Sequence, residues 1–198
     1  MNPITHFLVS WSVAEGAALG KRDRAIVTLA GVAPDLDGAG AVVEILTRNS
    51  DTPHLWFSSY HHVICHNLGF GVLTILAAFA LAKKRAAAAL LACITFHLHL
   101  LGDIAGARGP DGSQWPIPYF LPFSREPGLL WEGQWALNAW PNILLTVILL
   151  AAAFALARRR GHSPLEMVSR RADEAFVSTL RNRFPLRDDA GRESAGGE

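Results

Sequence analysis

The sequence predicts an all-α fold, a polytopic membrane helical bundle with about four to five membrane-embedded helices and a Gly/Pro/Trp-rich loop. Three observations carry this. Apolar residues make up 51% of the 198-residue chain and come in blocks. The clearest blocks, Leu68 to Ala82, Ala86 to Gly102 and Ile143 to Ala157, contain no Asp, Glu, Lys or Arg. Each block also ends in or follows a cluster of basic residues. At about 1.5 Å per residue such blocks reach roughly 25 Å, close to the roughly 30 Å hydrocarbon core of a bilayer. Apolar helices inside a soluble bundle are the competing reading, and the basic flanks argue against it.

The elements follow in order. Ile4 to Leu19 reads as a moderately apolar helix, which "KRDR" (Lys21 to Arg24) separates from the Ala25 to Ala33 segment. That segment is too short to span alone, and Pro34 marks a helix boundary. Asp37 to His54 reads as a polar loop carrying a short helix. Leu68 to Ala82 and Ala86 to Gly102 form a helical hairpin around "KKR" (Lys83 to Arg85). From Ile104 to Asn142 the abundance of Gly, Pro and Trp predicts a structured surface loop, whose tryptophans also suit a headgroup region. After Ile143 to Ala157 and "RRR" (Arg158 to Arg160), Ser163 with Glu166 has capping-box spacing and Pro164 suits a first helical position. The predicted division is a membrane-embedded domain over 1–160 and, over 161–198, a cytoplasmic amphipathic helix ending in a disordered tail from Pro185.

The net charge of +1 says nothing about nucleic acid, but no long basic stripe is present and no nucleic-acid partner is expected. Two cysteines, Cys65 and Cys93, make neither a disulfide framework nor a Cys-rich zinc site. With Glu15 inside the first apolar stretch and no basic leader before it, a cleaved signal peptide is not expected.

Keeping the three basic clusters in the cytoplasm orients every segment. His6, Asp35, Asp37, His61, His62, His66, His99 and Asp103 then all fall at the outer face, although about a hundred positions separate the first from the last. Ionisable residues at membrane depth mark function, and imidazoles with carboxylates suit zinc or another divalent transition metal, as one ion or more. His99 and Asp103 are four apart and share a helical face, whereas His97 points away and is expected either just behind the metal ligands or hydrogen-bonded in the helix packing. In "HHVICH" a helix would favour His62 with His66, and a later helix start would free His61. Geometry alone leaves that choice open.

The ordered set "TH", "PDLD", "HHVICH", "HLLGD" and "WP", within Met1 to Pro118, resembles the bacterial membrane-bound metal-dependent hydrolase family of the LexA-regulated inner-membrane type. The family pattern resembles P-D-x-D, H-R-G-x-T-H and H-x-x-x-D, and is distantly similar to zinc-dependent phospholipase C. The resemblance implies metal ligation by His6, Asp35, Asp37, His61, His66, His99 and Asp103, and so favours His61 over His62. This chain has His62 where the family has Arg and Cys65 where it has Thr. What is implied is a hydrolase of a phosphoester or lipid-like substrate at the inner membrane, working through a metal-activated water, with Asp35 or Asp37 as general base. Arg108, Trp115 and Tyr119 are candidate substrate contacts, and membrane lipids the expected surroundings. A metal transporter or metal-binding membrane protein without hydrolysis is one alternative. A structural protein docking a partner through Ser163 to Phe184 is another.

Overall fold

The computed structural model describes residues 1–109 and 112–185. Among the described residues eight α-helices run in the order α1 (Pro3–Gly16), α2 (Lys21–Ala30), α3 (Gly40–Thr47), α4 (Trp56–Tyr60), α5 (Leu68–Leu81), α6 (Arg85–Gly106), α7 (Trp140–Arg160) and α8 (Arg170–Arg183). Short 3₁₀ segments occupy Ala33–Ala39 and Pro164–Met167, and the described residues contain no β-strand. The membrane-bundle expectation holds. Helices α6 and α7 are long and apolar enough to cross a bilayer, and α2 with Ala33–Thr47 forms a pair bent by 55° that suits a broken span or a re-entrant loop. The hairpin α5–α6 is also as expected, with α5 a shorter apolar helix.

The chain divides into two compact units, Met1–Thr146 and Val147–Glu198, with the division within α7. In the first unit α6 is the central element, packing on α1, α2 and α5. Of its buried residues, Ala88, Ala92, Phe96, His99, Asp103 and Gly106 recur at three- and four-residue steps and so form one stripe. Small side chains dominate the other contacts there: Ala14 packs beside Ala88, and Ala30 and Ala78 beside Ala92. Close helix approach of this kind supplies the dispersion contacts that hold helices together where lipid removes the hydrophobic drive.

Polar groups secure both ends of this bundle. Asn2 caps α1 by accepting from Thr5 N at 2.9 Å, with Pro3 in the first turn. At the opposite end Asp23, buried within "KRDR", accepts from the backbone N of Lys83 and Lys84 at 2.8 Å each. The first two basic clusters therefore meet at one end of the bundle. His99 and Asp103 occupy the other end of α6, and 18 residues from Arg85 to Asp103 correspond to about 27 Å.

The loop after α6 is ordered by backbone and side-chain bonds, as its turn residues suggest. Trp135 N donates to Ala105 O, Arg108 N to Trp135 O, and Ile117 and Leu129 exchange a pair of bonds. Asn142 clamps it further, donating to the carbonyls of Gly106 and Leu137 and accepting from Trp135 Nε1. The same loop supplies Tyr119 O and Leu121 O to the first amides of α5.

In the second unit the helix expected to start at Ser163 is divided. Ser163 caps only the Pro164–Met167 turn, and Ser169 supplies a second cap from which α8 starts. Ser163 Oγ donates to Asp173 Oδ1 at 2.6 Å, which fastens the turn onto α8. Within the expected disordered tail, Leu186 to Glu198 lie outside the described residues.

Candidate metal centre

Three segments converge at one end of the bundle: the start of α1, the Ala33–Ala39 turn with the His61–His66 stretch behind it, and the last turns of α6. Two ligand-sized groups result, His6 with Asp35 and His99, and His62 with His66 and Asp103; in each the donor atoms lie within 4.8 Å of one another. All six are buried except Asp35, which is partly exposed. Asp103 joins the two sets: Oδ1 is 3.0 Å from His6 Nε2, while Oδ2 is 3.0 Å from His99 Nε2 and 3.3 Å from His66 Nε2. The amino group of Met1 also contacts Asp103 Oδ1.

Hydrogen bonds on the far side of the rings assign their protons. His99 Nδ1 donates to Gly31 O at 2.8 Å, because a carbonyl only accepts. His66 Nδ1 donates to Asp37 Oδ2 at 3.1 Å. In the neutral rings this leaves both Nε2 atoms with lone pairs, and these face each other at 3.2 Å beside Asp103 Oδ2. Lone pairs and a carboxylate aimed at one point repel unless a cation lies among them. Asp35 Oδ2, His62 Nδ1 and Asp103 Oδ2 are buried and lack a hydrogen-bond partner. Backbone carbonyl or carboxylate on one ring nitrogen, with the other nitrogen free, is the arrangement that orients metal-binding histidines.

The titration of the connecting stretch reports the same field. Burial pulls the His66 pKa down, but the Asp103 and Asp37 carboxylates facing its two ring nitrogens outweigh burial and push it up to about 9, so without a metal ion a proton stands at His66 Nε2 in the place a cation would take. Burial dominates at His62 and lowers it to about 2, leaving a neutral imidazole. Burial, with the Asp37 carboxylate beside it, raises the Cys65 thiol to about 11, so it is no thiolate ligand.

The sequence candidates therefore occupy different positions. His6, Asp35, His66, His99 and Asp103 come together within two groups that could hold a metal ion. Asp37 lies behind it: Oδ1 accepts from His61 Nδ1 at 2.8 Å, and Oδ2 accepts from Cys65 N and His66 Nδ1 at 3.0 and 3.1 Å. His61 turns toward Asp37, and His62 stands with His66 and Asp103 instead. The reason is local: His62 has φ +66°, so the stretch bends rather than continuing as a helix, and the two rings, stacked with centroids 4.1 Å apart, turn their nitrogens to different carboxylates. His97 is engaged in packing as expected, donating from Nδ1 to Cys93 O.

A cavity of about 270 Å³ opens beside this cluster, with Asp35, His61, His62, Arg108 and Trp115 in its wall. Trp115 stands 5.0 Å from the His62 ring. Tyr119 is absent from that wall; its hydroxyl bonds to His97 Nε2 at 2.9 Å and its ring lies against the Phe96–Ile117 core. Gln134 carries no motif and was not foreseen, yet it is buried and donates to Asp103 O at 2.7 Å, fixing the last turns of α6.

A family model described as YdjM inner membrane protein matches residues 1–177. No curated protein and no solved structure matches the chain.

Proposed function

The chain belongs to the YdjM inner membrane protein family, and from that premise we propose that it is a metal-dependent hydrolase acting on a phosphoester or lipid-like substrate at the membrane surface. The observation that carries the proposal is the convergence of His66 Nε2, His99 Nε2 and Asp103 Oδ2, each within 3.3 Å of another, with the opposite ring nitrogens already bonded. Imidazole and carboxylate donors without thiolate fit a divalent ion, zinc first among them, and two groups linked by the contacts of Asp103 with His6 and His99 provide for one ion or two. Such an ion supplies Lewis acidity toward a phosphoryl or acyl oxygen and acidifies water.

The side chains divide the remaining work. Asp35, partly exposed in the cavity wall and with Oδ2 free of partners, is the base that takes a proton from the attacking water. Asp37 is a positioning residue, since its lone pairs are committed to His61, Cys65 and His66. Arg108, whose Nη2 donates to Glu132 O, brings positive charge to the cavity for an anionic group, and Trp115 covers it. The three basic sequence clusters argue for a site at the outer face and a cytoplasmic C-terminal region. Labelling an engineered Ser113→Cys from the periplasm tests that sidedness.

Transport of the metal is the competing function. It is disfavoured because both ligand groups lie at one end of α6, about 27 Å from Arg85, and Ala86 to Phe96 carries no Asp, Glu or His. Two measurements on detergent-purified protein test the reading. Elemental analysis should find zinc or another transition metal in stoichiometric amount, lost in a His66→Ala, Asp103→Ala double variant. Phosphoester hydrolysis should follow metal content. A metal-loaded protein that turns over no phosphoester, yet carries zinc into proteoliposomes, would replace the hydrolase with a transporter.

A further inference from the structure

The excursion between the second and fifth helices is constructed unlike the rest of the bundle. Neither α3 nor α4 buries a single residue. They pack on each other and on the Ala33–Ala39 turn. Gly40 permits the closest approach, because a Cβ there would stand 2.9 Å from the backbone N of Phe57. The charge in α3 faces inward: Glu44 accepts from Ser58 N and Ser58 Oγ at 3.0 and 2.7 Å. The outward positions of α3 are Val42, Ile45 and Leu46, which share one helical face and are 60, 60 and 78% exposed. Leu55, Trp56 and Tyr60 on and beside α4, and Ile64 after it, are exposed as well.

An unpartnered apolar face of this size demands a covering. Three features select the bilayer. Exposed leucines, an isoleucine and a phenylalanine on α5 and α6 show that other elements of the same unit already present apolar surface on the scale of a membrane protein. Trp56 and Tyr60 are the residue types that settle at headgroup depth. A short helix with its charge turned inward and an apolar face outward is suited to lie in the interfacial plane. The same hairpin also borders the site. Phe57 of α4 lines the site cavity and an adjoining one of about 220 Å³, and His61, His62 and Trp115 line both.

We propose that the α3–α4 hairpin lies in the bilayer interface with Val42, Ile45 and Leu46 in lipid, so that the metal centre opens at the lipid surface and its substrate is a membrane-resident amphiphile with a phosphoester head. The location of the hairpin stands on its own, while the substrate class rests on the hydrolase reading. An amphiphile held at the interface presents its head to Asp35, Arg108 and Trp115 without leaving the bilayer. A water-soluble phosphoester must reach the same groups from solution and gains nothing from the hairpin.

The full-length protein in phosphatidylcholine–phosphatidylglycerol vesicles provides the test. A fluorophore on Leu46→Cys, corrected for labelling of the wild type through Cys65 and Cys93, should be quenched by lipids spin-labelled near the headgroup and spared by aqueous iodide. Iodide quenching places this face in water, and quenching by neither places it under protein; either result overturns the hairpin location. For the substrate, an Ile45→Glu, Leu46→Glu double variant should lose at least about tenfold in hydrolysis of vesicle phosphatidylglycerol, because charges replace the interfacial anchor. Its bound metal and its hydrolysis of bis(p-nitrophenyl) phosphate in solution should stay within about twofold of wild type. Equal loss on both substrates, or loss on neither, overturns delivery through the bilayer. Wild-type protein that binds metal and hydrolyses neither substrate defeats the hydrolase reading, and the quenching result is unaffected by it.

Discussion

Asp37 and Asp103 belong to the same sequence pattern, yet replacing them should have different consequences for the metal. Asp37 accepts three hydrogen bonds, from His61 Nδ1, Cys65 N and His66 Nδ1. In Asp37→Asn the carbonyl oxygen can still serve Cys65 N and His66 Nδ1, with the amide turned to His61, whose ring can change tautomer to accept. What is lost is the charge on the acceptor that orients His66, about half the strength of that bond. Loss of an orienting partner weakens metal affinity by about 10- to 100-fold, and Asp37→Asn belongs at the lower bound, about tenfold or 1.4 kcal/mol. Asp37→Ala leaves all three donors without their partner, two of them on buried residues, and belongs near the upper bound, about 100-fold. Asp103→Asn removes the carboxylate charge that belongs to one ligand group and touches His6 and His99 of the other. It should abolish stoichiometric binding. Competition against a chromogenic zinc chelator in detergent measures the affinities, and elemental analysis under saturating zinc measures stoichiometry. If Asp37→Asn fails to bind metal even at saturation, Asp37 is a ligand and the division drawn from the hydrogen bonds is wrong. If Asp37→Ala binds as tightly as wild type, orientation of His66 contributes nothing.

Other consequences follow from neighbouring geometry. His62→Ala should weaken metal binding more than His61→Ala, in the same competition assay, because only His62 stands with His66 and Asp103. In the chelator-treated protein, His66 has a folded pKa raised to about 9, so its contribution is full below the unfolded value near 6.5 and is lost as pH rises toward 9. His62 has the opposite sign: with its folded pKa lowered to about 2, stability falls as pH drops below about 6.5. Taken together, these two residues give the metal-free protein a thermal midpoint that is highest near pH 6.5 and falls on either side, and a midpoint rising steadily from pH 6.5 to 9 would contradict the His66 assignment. Asn142→Ala frees the Trp135 indole N–H and the carbonyls of Gly106 and Leu137, and should destabilise by about 3 kcal/mol, lowering the midpoint by roughly 6 to 12 °C. Gly31→Ala places a Cβ 2.9 Å from Thr95 Cβ and against Ser10. Since Gly31 O holds His99, the variant should lose about 1 to 3 kcal/mol and metal affinity together.

The sequence by itself determined the membrane bundle, the α5–α6 hairpin and the convergence of most ligands. Hydrophobic blocks, turn formers and basic flanks act locally and read directly along the chain, and the spacing of His99 and Asp103 fixes their common face through helix geometry. Tertiary structure decided which atoms are free. His61 and His62 are adjacent and chemically identical, and only the left-handed turn at His62, held between Asp37 and Asp103, turns one ring to Asp37 and the other to Asp103. Asp35 and Asp37 share one short motif, and only the donors around Asp37, contributed from 24 to 29 residues away, make it a positioning group. Gln134 and Tyr119 were illegible for the same reason, since their roles depend on bonds to Asp103 O and His97 Nε2 across the loop. The repeat of apolar residues specifies a helix, but the use of a lone pair depends on a neighbour that the fold alone brings within 3 Å.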